Sequence, residues 1–180
     1  VLCRMFGWTA LSPAEPAYAD CPPGAWYYSA VETAAAHGVT VRGDAFRPDD
    51  DITRAELAVM LVQALGYDSL AAEAVSAGMA LPFADAALSD AEGGYLLVAY
   101  QIGLTNGVEE GGQLLFKPRA TATRAEAAAM VMRVYDRYSS SLDWVHGFYA
   151  FSSYSQINLT ANMDAVSVGW ARMEYDPVLG

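Results

Sequence analysis

Phe46-Arg47-Pro48-Asp49-Asp50-Asp51-Ile52-Thr53-Arg54-Ala55-Glu56 recurs seventy residues later as Phe116-Lys117-Pro118-Arg119-Ala120-Thr121-Ala122-Thr123-Arg124-Ala125-Glu126. The spacing from Phe-x-Pro to Thr-Arg-Ala-Glu is the same in both. Working upstream, Tyr18-Ala19-Asp20 matches Phe83-Ala84-Asp85, and Gly38 matches Gly103, each closing an apolar stretch. The second copy carries an insertion around Glu109-Glu110-Gly111-Gly112. A repeated unit of this length makes a repeat architecture the first expectation, because each unit is too small to bury its own apolar face.

Downstream of the motif, the apolar residues set the period. Leu57, Met60, Leu61, Ala64 and Leu65 follow the first Thr-Arg-Ala-Glu, and Ala127, Met130, Val131, Val134 and Tyr135 follow the second. Both series step along one face of an α-helix. Val1, Leu2, Met5 and Phe6, closed by Gly7-Trp8, fall where Met60, Leu61, Ala64, Leu65 and Gly66-Tyr67 fall. Residues 1–8 are therefore expected to be the tail of an earlier repeat. Each repeat reads as helix, loop, helix. The first helix is expected from about Ala25 to His37, with Trp26, Ala30, Val31 and Ala34 on its apolar face. Its counterpart is expected from about Ala91 to Ile102, using Leu97, Val98 and Ile102, with a short linking helix over Ser69–Ala77. Gly43, Pro48, Gly107, Gly111, Gly112 and Pro118 mark the loops.

Thr53 and Thr123 read as helix N-caps, with Glu56 and Glu126 reaching back from the third helical position to complete a capping box. The arginine needs a separate explanation. Arg54 and Arg124 fall at the first helical position, where a cation is mildly unfavourable beside the positive end of the helix dipole. One reading is a salt bridge to a nearby acid, with Asp49 to Asp51 at hand for Arg54. The other is a ligand contact. The loop before Arg124 contains no acid and adds Lys117 and Arg119, so helix amides plus these three cations form a candidate anion site. Trp26 reads either as core or as an exposed ligand contact.

Composition narrows the function. Of the 180 residues 54% are hydrophobic, and 21 acids against 10 bases give a formal net charge of −11. Nucleic acid and anionic membrane surfaces are poor partners for that balance. No apolar run approaches the roughly 18 residues that span a bilayer. Two cysteines, Cys3 and Cys21, and two histidines, His37 and His146, have no metal-ligand spacing. A Cys3–Cys21 bridge and a buried free thiol at Cys3 are the alternatives. Neither a metal nor a cofactor is expected. The chain starts inside a helical pattern and reads as an internal piece of a longer protein, and Ala17-Tyr18-Ala19 lacks the apolar segment that precedes a cleavage site.

Tyr18-Ala19-Asp20, Trp26, Gly38, Phe46-Arg47-Pro48 and Thr53-Arg54-Ala55-Glu56 resemble an S-layer homology repeat. Phe83-Ala84-Asp85, Gly103, Phe116-Lys117-Pro118 and Thr123-Arg124-Ala125-Glu126 resemble the next. The resemblance covers about residues 18–67 and 83–138. It implies a mainly α fold of tandem helix-loop-helix repeats packed on each other, usually three with pseudo-threefold symmetry. It also implies an extracellular module that tethers bacterial surface proteins to wall-linked, often pyruvylated, polysaccharide on peptidoglycan. Ligand grooves would then involve Arg54, Arg124, Asp20, Asp85 and Trp26, beside the Lys117 and Arg119 cations read above. The second copy has Ala91 at the tryptophan position.

Beyond a Ser-rich linker at 139–143 the composition changes. Val145–Phe151 and Met163–Trp170 read as short buried strands. Residues 144–180 are similar to the opening strands of a family-18 glycoside hydrolase β/α barrel, cut short. The acidic signature carrying that family's proton donor is absent, so this segment is expected to be non-catalytic, with Asp164 and Glu174 as turn or surface carboxylates. The Asn158-Leu159-Thr160 sequon is read as coincidental. The leading function is a wall-polysaccharide anchor. The alternatives are a fragment of a glycan hydrolase and a structural S-layer subunit.

Overall fold

The computed structural model describes residues 1–39 and 44–139, together with the backbone of 146–150 and 165–169. These divide into two units, Val1–Ser139 and Ser140–Gly180. In the first unit the order is α1 (Leu2–Met5), α2 (Tyr28–Ala36), α3 (Arg54–Ala64), α4 (Asp68–Ser76), α5 (Gly93–Gln101), β1 (Val108–Glu110), β2 (Gln113–Leu115) and α6 (Arg124–Ser139).

Both Thr-Arg-Ala-Glu motifs start helices where the sequence places them. Thr53 Oγ1 accepts from the Glu56 N–H at 3.2 Å, and the Glu56 carboxylate accepts from the Thr53 N–H at 2.9 Å. Thr123 and Glu126 repeat this reciprocal cap with the same distances. Each box satisfies two amides that have no partner inside the helix.

α3 is the central element. Ala55, Ala58, Leu61 and Val62 are fully buried, and they share one cluster with Ala71 of α4, Leu96, Val98 and Ala99 of α5, and Met130 and Val134 of α6. Phe83, Leu104 and Phe116 complete it. The second helix of the first repeat thus packs mainly on the second repeat, which is how two small units close one core. Gly94 lets α5 approach α4: a Cβ there would sit 2.3 Å from the Ala71 carbonyl oxygen.

α2 belongs to a separate small cluster of Tyr18, Cys21, Tyr28 and Val31, edged by Tyr27, Ala35 and Phe46. It starts at Tyr28, not Ala25. Its buried positions are Tyr28, Val31, Glu32 and Thr33, so the expected face through Trp26 and Ala30 is corrected: Ala30 is exposed and Trp26 precedes the helix. Glu32 is held inside by accepting from the Ala17 N–H at 2.9 Å. In α5, Leu97 and Val98 are buried as expected, and Ile102 is half-buried at its C-cap. Tyr135, expected on the inner face of α6, is exposed at 47%. The linking helix α4 forms one residue earlier than expected.

Leu2, Met5 and Phe6 pack against the main cluster, while Val1, expected beside them, is 84% exposed. Cys3 is half-buried, Cys21 is buried, and both are free thiols. The insertion in the second repeat is a β-hairpin: Glu110 pairs with Gln113 across Gly111 and Gly112, whose φ angles are +60° and +77°. Positive φ at both central residues is the two-residue turn that fits strand twist.

In the second unit β3 (His146–Ala150) pairs in parallel with β4 (Ala165–Gly169). These strands fall inside the two expected runs. Gly43, the linker beyond Ser139, the Asn158 sequon, Asp164 and Glu174 lie outside the described residues.

Candidate functional site between the repeats

Each repeat builds its loop with the same clasp. In the first, the Asp20 carboxylate accepts from the backbone N–H groups of Phe46 at 2.8 Å and Arg47 at 2.7 Å. In the second, Asp85 accepts from Phe116 and Lys117 at the same two distances. The aromatic residue two positions before each aspartate packs on the phenylalanine it clasps: Tyr18 on Phe46 at 5.6 Å, and Phe83 on Phe116 at 5.2 Å between centroids. Arg47 and Lys117 adopt φ of +57° and +58°. For residues with a Cβ that region is unfavourable, and two charge-assisted hydrogen bonds on the same peptide segment hold it there. The Phe46 and Arg47 amides hold the Asp20 carboxyl below its ordinary range. Asp20 and Asp85 therefore shape the loops through their side chains.

The two repeats join where α3 begins. The Arg54 N–H donates to the Ala120 carbonyl at 2.9 Å and the Ala55 N–H to the Pro118 carbonyl at 3.1 Å, while the Ala122 N–H donates back to Ile52 at 3.0 Å. Thr53 and Thr121 form an antiparallel bridge there. Two of the amides at the start of α3 are thus used by the neighbouring repeat.

Arg54 is 8% exposed. Its Nε donates to the Phe116 carbonyl at 2.8 Å, its Nη1 is ion-paired with Glu126, and the guanidinium lies 5.5 Å from the centre of the Phe116 ring. The expected partners Asp49 to Asp51 are replaced by an acid from the other repeat. Sequence distance hid this: 72 residues separate the two. Thr123's N–H and hydroxyl, then Arg54, outweigh burial and set the Glu126 carboxyl below its ordinary range. The matching glutamate of the first repeat, Glu56, is ion-paired with Arg47. Burial alone would raise Glu56, but Thr53 and Arg47 together lower it.

The expected trio of Arg124, Lys117 and Arg119 is not left as bare cations. Lys117 Nζ is 2.6 Å from Glu110 of the hairpin, and Arg119 Nη1 is 3.1 Å from Glu92. The loop itself holds no acid, but neighbouring elements supply two. Arg124 is exposed and has no ion pair among the described residues. Trp26 is 94% exposed, edge-on to Tyr27 at 5.6 Å, so its reading as core is corrected. Among the described residues no ring or hydrogen-bond contact joins Trp26 to Arg54, Arg124, Lys117 or Arg119.

A cavity of about 200 Å³ opens beside the Arg54–Glu126 pair, lined also by Thr105, Asn106, Gly107, Val108, Ala129, Met130 and Arg133. Its cleft combines the first ten residues of α6, the turn after α5 and the first residue of α3. Sequence reading missed Arg133, Thr105 and Asn106. The available signal was the repeat itself, since Arg133 stands where the first repeat has Gln63.

Known proteins match the repeated elements. The S-layer homology domain family matches residues 17–58 and 82–128. These two segments are S-layer homology domains. The pairs Asp20–Phe46 and Asp85–Phe116 close the loop of each S-layer homology domain, and Arg54–Glu126 joins one to the other. The chain is 33% identical over 117 residues to a protein named amylopullulanase from Thermoanaerobacterium thermosulfurigenes, covering 63% of the chain and 6% of that protein. It is 32% identical over 146 residues to a protein named cell surface protein from Thermoanaerobacter kivui, covering 80% of the chain and 18% of that protein. The chain thus spans less than a fifth of either relative. An undecaheme cytochrome from the S-layer of Carboxydothermus ferrireducens aligns over 86% of this chain and 22% of its own, at 18% identity and a TM-score of 0.42, too low to carry an argument.

Proposed function

We propose that the two S-layer homology domains anchor a bacterial surface protein non-covalently to polysaccharide linked to peptidoglycan. The working location is outside the cell, at the wall or S-layer. The observation that carries this reading is the donor-rich cavity between the repeats, in a chain whose overall charge is strongly negative. The relative named as a cell surface protein supports it. In this reading the glycan carries pyruvate ketals, whose carboxylates suit guanidinium groups. Arg54 lends positive charge to the groove wall. Arg124 is an exposed cation at the start of α6, two residues before Glu126 of the cavity wall, and Lys117 and Arg119 add positive charge to the second repeat. Asp20 and Asp85 hold the loops, and Trp26 offers a bare ring for a sugar face. The segment works as a binding module and not as a catalyst. Sedimentation with isolated cell walls, before and after their secondary polymer is chemically stripped, tests this. Retention should fall on stripping, and equal retention on bare peptidoglycan defeats the anchor reading.

The parallel pairing of β3 with β4 favours a second, separate reading for residues 144–180: the first strands of a β/α layer such as a glycoside hydrolase barrel. A parent enzyme that cleaves glycans would carry its acidic residues beyond Gly180. Sequencing onward to an all-β array would remove this reading and favour a lattice subunit.

A further inference from the structure

We infer that the first repeat carries a separate binding site, a cleft between α2 and residues 11–17, that takes an amino sugar by its free ammonium group. The two repeats differ at the face where this cleft lies. Between Tyr67 and Phe83 the second repeat places α4, which buries Ala71 and Ala74 and packs closely on α5 at Gly94. The matching stretch of the first repeat, between Trp8 and Tyr18, is shorter and contains Pro13 and Pro16. Residues 9–17 accordingly form no helix and run as a strap along α2. Beside α2 this leaves a cleft of about 600 Å³, a size that accepts small ligands.

The strap is fixed to α2 at three points. The Leu11 N–H donates to Thr33 Oγ1 at 2.9 Å, the Tyr28 hydroxyl to the Pro13 carbonyl at 2.7 Å, and the Ala17 N–H to the Glu32 carboxylate at 2.9 Å. Thr33 spends its own hydrogen on the Ser29 carbonyl at 2.6 Å. The cleft is therefore formed before any ligand arrives, and the Thr33 and Tyr28 hydroxyls are already committed to holding it.

Glu32 has capacity left. It lines the cleft and is 4% exposed. Its two oxygens share a single donor, the Ala17 N–H, at 2.9 and 3.2 Å, whereas a carboxylate accommodates about four. Among the described residues no cation lines the cleft or pairs with Glu32. The second repeat has Leu97 at the matching position, also buried. Packing at this point of the helix is thus met by leucine, and a buried acid costs stability unless it is paired. An ammonium brings a compact charge with three donors. Leu11, Pro13, Ala35 and Ala36 supply walls for the apolar face of a pyranose, and Ser12 a hydroxyl for one of its own. The cleft shares no lining residue with the cavity beside Arg54, so this site and the wall-anchoring reading can fail separately.

The test is titration of the whole 180-residue chain, followed by amide NMR shifts, with glucosamine and with N-acetylglucosamine, at about pH 6 where a primary amine is charged. Glucosamine should bind about tenfold or more tightly, the scale of a hydrogen bond to a charged group. The shifts should centre on Ala17, Ala35 and Ala36. Glu32→Gln, which keeps an acceptor for the Ala17 N–H, should lose the preference while still folding. Ala36→Leu should weaken both sugars by narrowing the cleft, with Glu32 intact. Glu15→Gln, which removes an exposed acid from the same strap, should keep the preference fully. Equal binding of the two sugars, binding of neither, or shifts centred on α6 would overturn the site, and none of these needs a variant. A preference retained in Glu32→Gln would overturn the role of Glu32. Ethylammonium binding as tightly as glucosamine would overturn the sugar assignment.

Discussion

Arg54, the first residue of α3, is ion-paired with Glu126, the third residue of α6, so the same four-residue motif supplies both halves of a bond between repeats. This explains a cation at a helix start, where the dipole disfavours it. The arginine is placed for the neighbouring repeat and not for its own helix. Arg54→Gln should therefore destabilise the fold, by about 1–3 kcal/mol for a charge left without its partner. A double-mutant cycle with Glu126→Gln should show a coupling of at least about 0.5 kcal/mol. Additive losses in thermal or urea melts would mean that the pair does not join the repeats.

Arg124 is the control for that argument. It has the same position in its motif, yet it is exposed and lacks an ion pair among the described residues. Arg124→Gln should leave the melting temperature unchanged or slightly higher, since it only removes a cation from a helix N-terminus. Matching destabilisation by Arg54→Gln and Arg124→Gln would defeat the assigned asymmetry.

The helix caps give a second pair. Thr53→Ala and Thr123→Ala each delete an observed acceptor for the third helical amide, and each should cost about 0.5–2 kcal/mol. The larger loss is expected for Thr53, because it is half-buried and its segment also bridges to Thr121. Calorimetric melts that leave both variants at the parental midpoint would contradict the caps.

These pairs show what the sequence made legible. The repeat, the two capping boxes and the period-of-four apolar residues placed α3, α4, α5 and α6, because those features act within a few residues of each other. The Arg54–Glu126 pair, the acids facing Lys117 and Arg119, and the donation from Arg54 and Ala55 to the next repeat's loop depend on how distant segments pack. No local rule contains them. Trp26 was ambiguous because helical periodicity continued through it, whereas the helix begins two residues later. The hairpin was the avoidable miss: Gly111-Gly112 between Val108-Glu109-Glu110 and Gln113-Leu114-Leu115 is a two-residue turn signal.

Lys117 tests the cost of the left-handed loop. With φ at +58° it gains from loss of its Cβ, and its ion pair with Glu110 is surface-exposed and contributes about 0–1 kcal/mol. Lys117→Gly should be neutral or stabilising by up to about 1 kcal/mol. Asp85→Ala should move the other way, because it releases the two amides that hold the loop. A destabilised Lys117→Gly would show that the side chain supports the loop more than the clasp does.

Acid should unfold the protein through the same carboxylates. Asp20 is lowered by the Phe46 and Arg47 amides, and Glu126 by Thr123 and then Arg54. Glu56 is lowered too, because Thr53 and Arg47 outweigh the effect of its burial. A carboxyl whose folded pKa lies below its unfolded one contributes stability that is complete above the unfolded value. That contribution is lost as pH falls through the folded value. Unfolded aspartate and glutamate titrate at about 3.9 and 4.3. The melting temperature should thus change little through these groups above about pH 5 and drop steeply below about pH 4. Asp20→Asn should start lower at neutral pH and show a shallower acid drop, since the titrating group is gone. An unchanged acid limb in that variant would remove Asp20 from the account.

Trp26 separates binding from folding most cleanly. A side chain 94% exposed, whose ring contact among the described residues is Tyr27 edge-on, contributes little to the core. Trp26→Ala should leave the melting temperature within a degree or two, on the rule that surface substitutions stay within about 0.5 kcal/mol. If the ring stacks on a sugar face, the same change should weaken retention on polysaccharide-bearing walls several-fold, about the 0.5–1.5 kcal/mol that an aromatic contact supplies beyond its buried area. Indole fluorescence adds a direct readout, because a stacked ring should shift its emission on addition of the polymer while Trp26→Phe loses that part of the signal. Unchanged wall retention and unchanged emission together would leave Trp26 as a bare surface residue and confine recognition to the cavity beside Arg54 and Arg133.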